Sequence, residues 1–68
     1  MLFIVNMVQH TKNGDVISPA LTYKSEIEWR AKYHQEMSYA IASEDITGID
    51  IAVCDNNLYM LFQDHLQK

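Results

Sequence analysis

From Leu2 to His10 the apolar residues Leu2, Phe3, Ile4, Val5, Met7 and Val8 occupy both alternating positions, the pattern of a strand covered on both faces and therefore central in its sheet. Asn13-Gly14 follows, a dipeptide suited to a type I′ hairpin turn because both residues tolerate positive φ. Counting outward from that turn pairs Thr11 with Val16, His10 with Ile17, Val8 with Pro19 and Met7 with Ala20. A second strand from about Asp15 to Leu21 is thus expected, placed at a sheet edge by Pro19, which has no N–H to donate.

The period then changes. Ser25 and Glu28 form a capping box, Ser25 as N-cap and Glu28 three residues on, opening a helix predicted over residues 26–43. Ile27, Ala31, His34, Ser38 and Ile41 make one stripe at helical spacing and are expected to face the sheet. Glu28, Lys32, Gln35 and Glu36 fall opposite, with Glu28 and Lys32 in the favourable i,i+4 order. Trp29, Tyr33 and Ala40 lie to one side of the stripe, which marks Trp29 and Tyr33 as a candidate contact flank.

Alternation returns after Asp45, with Ile49, Ile51 and Val53 against Asp50, Ala52 and Cys54. A tight turn at Asn56-Asn57 pairs Cys54 with Tyr59, Val53 with Met60, Ala52 with Leu61 and Ile51 with Phe62. Ile51, Val53, Met60 and Phe62 are the expected core, leaving Ala52, Cys54, Tyr59 and Leu61 on the other face. The whole reads as a single α+β domain, ββαββ, with a four-stranded antiparallel sheet in the order 2-1-3-4. One helix packs on one face, and the bare face, with Tyr59 and Leu61, is a candidate interface.

Length and charge narrow what such a domain does. A chain of 68 residues buries only about 60% of its unfolded surface, so self-association as a homodimer is the expected source of added stability. Nine acids oppose five bases, for a net charge of −4, and no run of Lys or Arg occurs, which disfavours direct binding of nucleic acid or of anionic membranes. The apolar N-terminal stretch is interrupted by Asn6, Gln9, His10 and Lys12 before it reaches the length of a signal or a membrane span, and the lone Cys54 suits a reducing compartment; a cytoplasmic location is expected.

Candidate chemistry is sparse. His10, His34, His65 and Cys54 are scattered without a C-x-x-C or H-x-x-x-H pair, so no metal and no cofactor is expected. Cys54 neighbours Asp55, which disfavours a thiolate nucleophile. His34, inside the apolar stripe, reads as a satisfied core histidine, with a small-ligand or catalytic role as the alternative. Asp50 and Asp55, in an acid-rich final third, read as solvated surface or as a negative patch for a basic protein partner.

The helix segment Glu28 to Ala40, EWRAKYHQEMSYA, resembles that of small uncharacterised proteins from Firmicutes and their phages, which carry an A-K-[FY]-H stretch followed by tyrosine and alanine. The resemblance implies a phage or mobile-element setting and carries no activity over to this chain. It leads to the expectation of a non-enzymatic protein-binding module that inhibits a host nucleic-acid-processing protein, as inhibitors of CRISPR nucleases do. Trp29, Tyr33, Asp50, Asp55, Tyr59 and Leu61 are its candidate contacts. A phage structural protein acting through self-association is the alternative.

Overall fold

The computed structural model describes residues 1–68. Along the chain it runs β1 (Phe3–Thr11), β2 (Gly14–Ile17), β3 (Leu21–Tyr23), α1 (Glu26–Ala42), β4 (Ile46–Asp55) and β5 (Met60–Gln67). The architecture is α+β, with one helix on one antiparallel sheet. Central β1 pairs with β4 on one side and with both β2 and β3 on the other, and β5 closes the far edge of β4. The sheet therefore has five strands where four were expected, because the edge strand breaks at Pro19.

That break changes which side chains face the core. Between the pairs Val8↔Ile17 and Val5↔Leu21, β1 advances three residues while the edge advances four. The extra residue reverses the alternation, so Leu21 and Tyr23 pack beneath the helix while Ile17 stays exposed.

The first hairpin also differs from expectation. Its pairs are Thr11↔Gly14, His10↔Asp15, Gln9↔Val16 and Val8↔Ile17, two residues out of the expected register, with Lys12-Asn13 at the tip. Thr11 is the reason: its hydroxyl donates to the carbonyl of Gly14 at 2.5 Å and accepts from the N–H of Asn13 at 3.2 Å, while Gly14 takes the positive φ of 125°.

Ser25 caps α1 as expected, its hydroxyl accepting from the N–H of Glu28 at 3.2 Å. The buried face of the helix, however, is not Ile27, Ala31, His34, Ser38 and Ile41. Trp29 and Ala40 are buried, and Tyr33 and Met37 pack against the core of Val5, Met7, Ile46, Ile49, Ile51 and Val53. Ile27 and Ile41 are 82% and 64% exposed. Volume decides between the two stripes: a tryptophan with Tyr33 and Met37 fills the space over the sheet, whereas the other stripe offers only two large side chains. Lys32 pairs with Glu36 at 2.7 Å and Arg30 with Glu26 at 2.8 Å, in place of the expected Glu28–Lys32 pair. No helix is long and apolar enough to cross a membrane.

Candidate interaction site

β4 ends at Asp55, and the connection to β5 is longer than the expected Asn56-Asn57 turn. Residues 56–59 form it, and a register shift between Val53 and Cys54 then pairs Cys54 with Met60 and Val53 with Phe62. Phe62 packs on the core as expected, but Met60 is exposed. The side chain of buried Asp55 organises the loop. Its Oδ1 accepts from the N–H groups of Asn57 at 2.8 Å and Tyr59 at 3.0 Å. The backbone adds Leu58 N–H to Asp55 O and Asp55 N–H to Tyr59 O, both at 3.0 Å.

At the tip Leu58 has φ of 66°, the one non-glycine residue in the chain with positive φ. For a branched side chain this conformation costs about 1–2 kcal/mol, and the four bonds to Asp55 hold it there. Leu58 and Tyr59 are 78% and 71% exposed, and exposed Met60 and Leu61 follow. Because Phe3 pairs with Asp55, exposed Met1 and Leu2 run beside the same loop. One end of the sheet thus presents a hydrogen-bonded loop inside an apolar patch.

The six residues singled out from the sequence are divided. Tyr59 and Leu61 are in this patch, and Asp55 lies beneath it as scaffold, not as an exposed charge. Trp29 is only 2% exposed, its ring 5.2 Å from Phe62 and 6.2 Å from Phe3, with the Arg30 guanidinium 4.7 Å above it. It builds the core and presents no surface. Half-buried Tyr33 meets Phe62 edge-on at 4.8 Å and donates its hydroxyl to Asp64. That bond holds the Asp64 carboxyl below, and the Tyr33 hydroxyl above, their usual pKa values.

Asp50 belongs to a row the sequence reading missed. On the face away from the helix, β2, β1, β4 and β5 contribute Asp15, His10, Asp50 and His65 in turn. His10 bonds Asp15 through Nδ1 at 2.8 Å and Asp50 through Nε2 at 2.7 Å, and the other oxygen of Asp50 meets Nδ1 of His65. The expected register set His10 opposite Ile17; the true one sets it opposite Asp15. Beside the row, Gly48 floors a shallow pocket of about 300 Å³ walled by His10, His65 and Lys68, and His34 takes no part in it. No group of three or more His, Cys, Asp or Glu side chains is arranged to hold a metal ion.

The row makes stability pH-dependent. Its bond to Asp50, and next that to Asp15, raises the pKa of His10 above the usual 6.5. His10 first, then His65, holds Asp50 below the usual 3.8. The His10 contribution is full below 6.5 and is lost as the pH rises through the raised value, whereas that of Asp50 is present above 3.8 and is lost as the pH falls through the lowered one. Thermal melts should therefore show a midpoint that declines from mildly acidic to mildly alkaline pH in the native protein, with a flatter profile in His10→Gln. Equal declines in the two proteins would exclude His10 as the source.

Comparison with protein-family models, with curated proteins and with solved structures finds no match to this chain.

Proposed function

We propose that the protein is a non-enzymatic protein-binding module whose contact is the loop of residues 55–59 with the apolar residues around it. The observation that carries this reading is Leu58: a large apolar side chain displayed to solvent, in a conformation that costs energy, by a buried carboxylate. Strain of this kind persists where the display has a use, and a preorganised apolar anchor loses little entropy on binding. The net charge of −4 favours a partner with a basic surface, and occupation of a host nucleic-acid-processing protein is the form of binding that the phage setting implies.

Leu58→Gly separates binding from folding. Glycine adopts the positive φ without penalty but loosens the unfolded chain, so stability in urea should rise by up to about 1 kcal/mol. Capture of the partner from a host lysate should meanwhile be lost, as it should with Tyr59→Ala. Unchanged capture by both variants would remove the loop from the contact, and capture insensitive to added salt would remove the basic partner. The acidic residues Asp50 and Asp55 no longer support a charged docking patch, since one is paired with histidines and the other is inside the loop.

A further inference from the structure

The two edges of the sheet are unlike. The β2/β3 edge is broken by Pro19 into strands of four and three residues, offset by one residue in phase. The β5 edge runs eight residues from Met60 to Gln67 with no proline and no lysine; a bulge at Met60 and Leu61 and the inward-facing Asp64 are its only protections, its pairing with β4 is regular from Phe62 to Gln67, and no other element lies beyond it. Soluble proteins usually blunt such an edge, because its free N–H and C=O groups template another strand. Here one edge is blunted and the other is left open.

We propose that β5 pairs antiparallel with β5 of a second copy, joining two five-stranded sheets into one about a two-fold axis at Gln63. This inference does not rest on the proposed partner-binding loop. An axis perpendicular to the sheet opposes residues of the same face, so it must fall on a single residue of the strand. At Asp64 two carboxylates would face each other, and like charges directly opposed are destabilising. At His65 two imidazoles would meet and the start of each strand would overhang unpaired.

At Gln63 the strands overlap over most of their length, with the bulge at Met60 and Leu61 falling at either end, and no like charges meet. Two glutamine amides, each both donor and acceptor, face one another, and Leu61 lies opposite the partner's His65. Phe62 lies opposite the partner's Asp64, whose carboxylate Tyr33 already holds. With its other edge broken, such a pair closes at two copies and does not extend into a filament.

The outer flank of α1 fits the same arrangement. Tyr33 and Arg30 lean over Phe62 of β5, with the Arg30 guanidinium 5.9 Å from that ring. Ile41, His34 and Ile27 are the next positions around the helix, so the exposed apolar stripe lies toward the β5 side. A two-fold axis through Gln63 sets both helices on one face of the joined sheet with these flanks turned toward each other. The apolar stripe that leaves the core thereby gains a place beside its own copy.

The test is covalent capture. Gln63→Cys, with Cys54→Ser to remove the native thiol, should form an intermolecular disulfide rapidly on mild oxidation, while Val16→Cys on the broken edge should not. Light scattering should report two chains for the native protein. Gln63→Glu and Gln63→Lys alone should each weaken the dimer several-fold, and mixing them should restore it. A native monomer, or cross-linking no faster at position 63 than at position 16, would overturn the proposal. Leu58→Gly should leave the dimer intact, so failure of the loop as a contact and failure of this interface give different results.

Discussion

Trp29→Ala should cost the protein a large share of its stability. Truncating a buried tryptophan costs about 3–5 kcal/mol, and at 0.05–0.15 kcal/mol per residue a chain of this length has roughly 3–10 kcal/mol in total. The ring packs near both Phe3 at the start of the chain and Phe62 toward its end. Trp29→Phe is the informative companion. The indole Nε1–H is buried and has no hydrogen-bond partner, so phenylalanine removes an unsatisfied donor while keeping much of the packing. A loss of about 1–2 kcal/mol is expected, because the phenyl ring fills most but not all of the space of the indole. Far-UV circular dichroism in urea is the measurement, since Trp29 is the only tryptophan and its fluorescence is lost in both variants. Equal costs for the two would show that the indole N–H contributes after all.

Gly48→Ala should have the next largest effect, for a reason of space. A Cβ at this position lies 2.7 Å from the backbone oxygen of Leu66 and 3.6 Å from both the Cα of Gln67 and Cδ2 of His10. The obstruction is main chain, which no rotamer change relieves, so β4 and β5 must separate at this end. Overpacking of this kind costs about 1–3 kcal/mol. Hydrogen exchange should localise the damage: the amide of Lys68, which donates to the carbonyl of Thr47 at 2.9 Å, should lose its protection while that of Val5 keeps it. Native protection at Lys68 in the variant would mean that the strands do not approach so closely.

Much of this fold is legible in the alternation of Ile49, Ile51 and Val53, in the continuous apolar run of the first strand and in the cap at Ser25. These features survive small errors of alignment because each depends on neighbours along the chain. The register of the first hairpin does not. A slip of two residues keeps every side chain on its face, so the apolar pattern cannot distinguish Asn13-Gly14 from Lys12-Asn13 as the turn, and the choice falls to the hydroxyl of Thr11. The meeting of His10 with Asp15 is hidden for the same reason, while its meeting with Asp50 follows from the pairing of β1 with β4, whose register no turn sets.

The buried face of the helix is hidden for another reason. Apolar residues are spread around much of its circumference, so spacing alone offers two stripes, and only the bulk of Trp29 and Tyr33 shows which one fills the space above the sheet. In the candidate site, Tyr59 and Leu61 could be read as exposed apolar residues after a turn. The inward role of Asp55 has one faint sequence signal, its place just ahead of Asn56-Asn57, where an aspartate side chain commonly accepts from the backbone two residues on.

The pairing of β1 with β4 has a consequence for how the chain is made. Phe3 meets Asp55 and Val5 meets Val53, so the two central strands are drawn from opposite ends of the chain. Each hairpin can close locally within microseconds, but neither has a core until the other arrives. Ribosomes add about 5–20 residues per second, so the first strand waits seconds for the fourth to be synthesised, its apolar run uncovered meanwhile. Folding of the sheet therefore waits for β4, and until it arrives the nascent N-terminal hairpin keeps its apolar run uncovered.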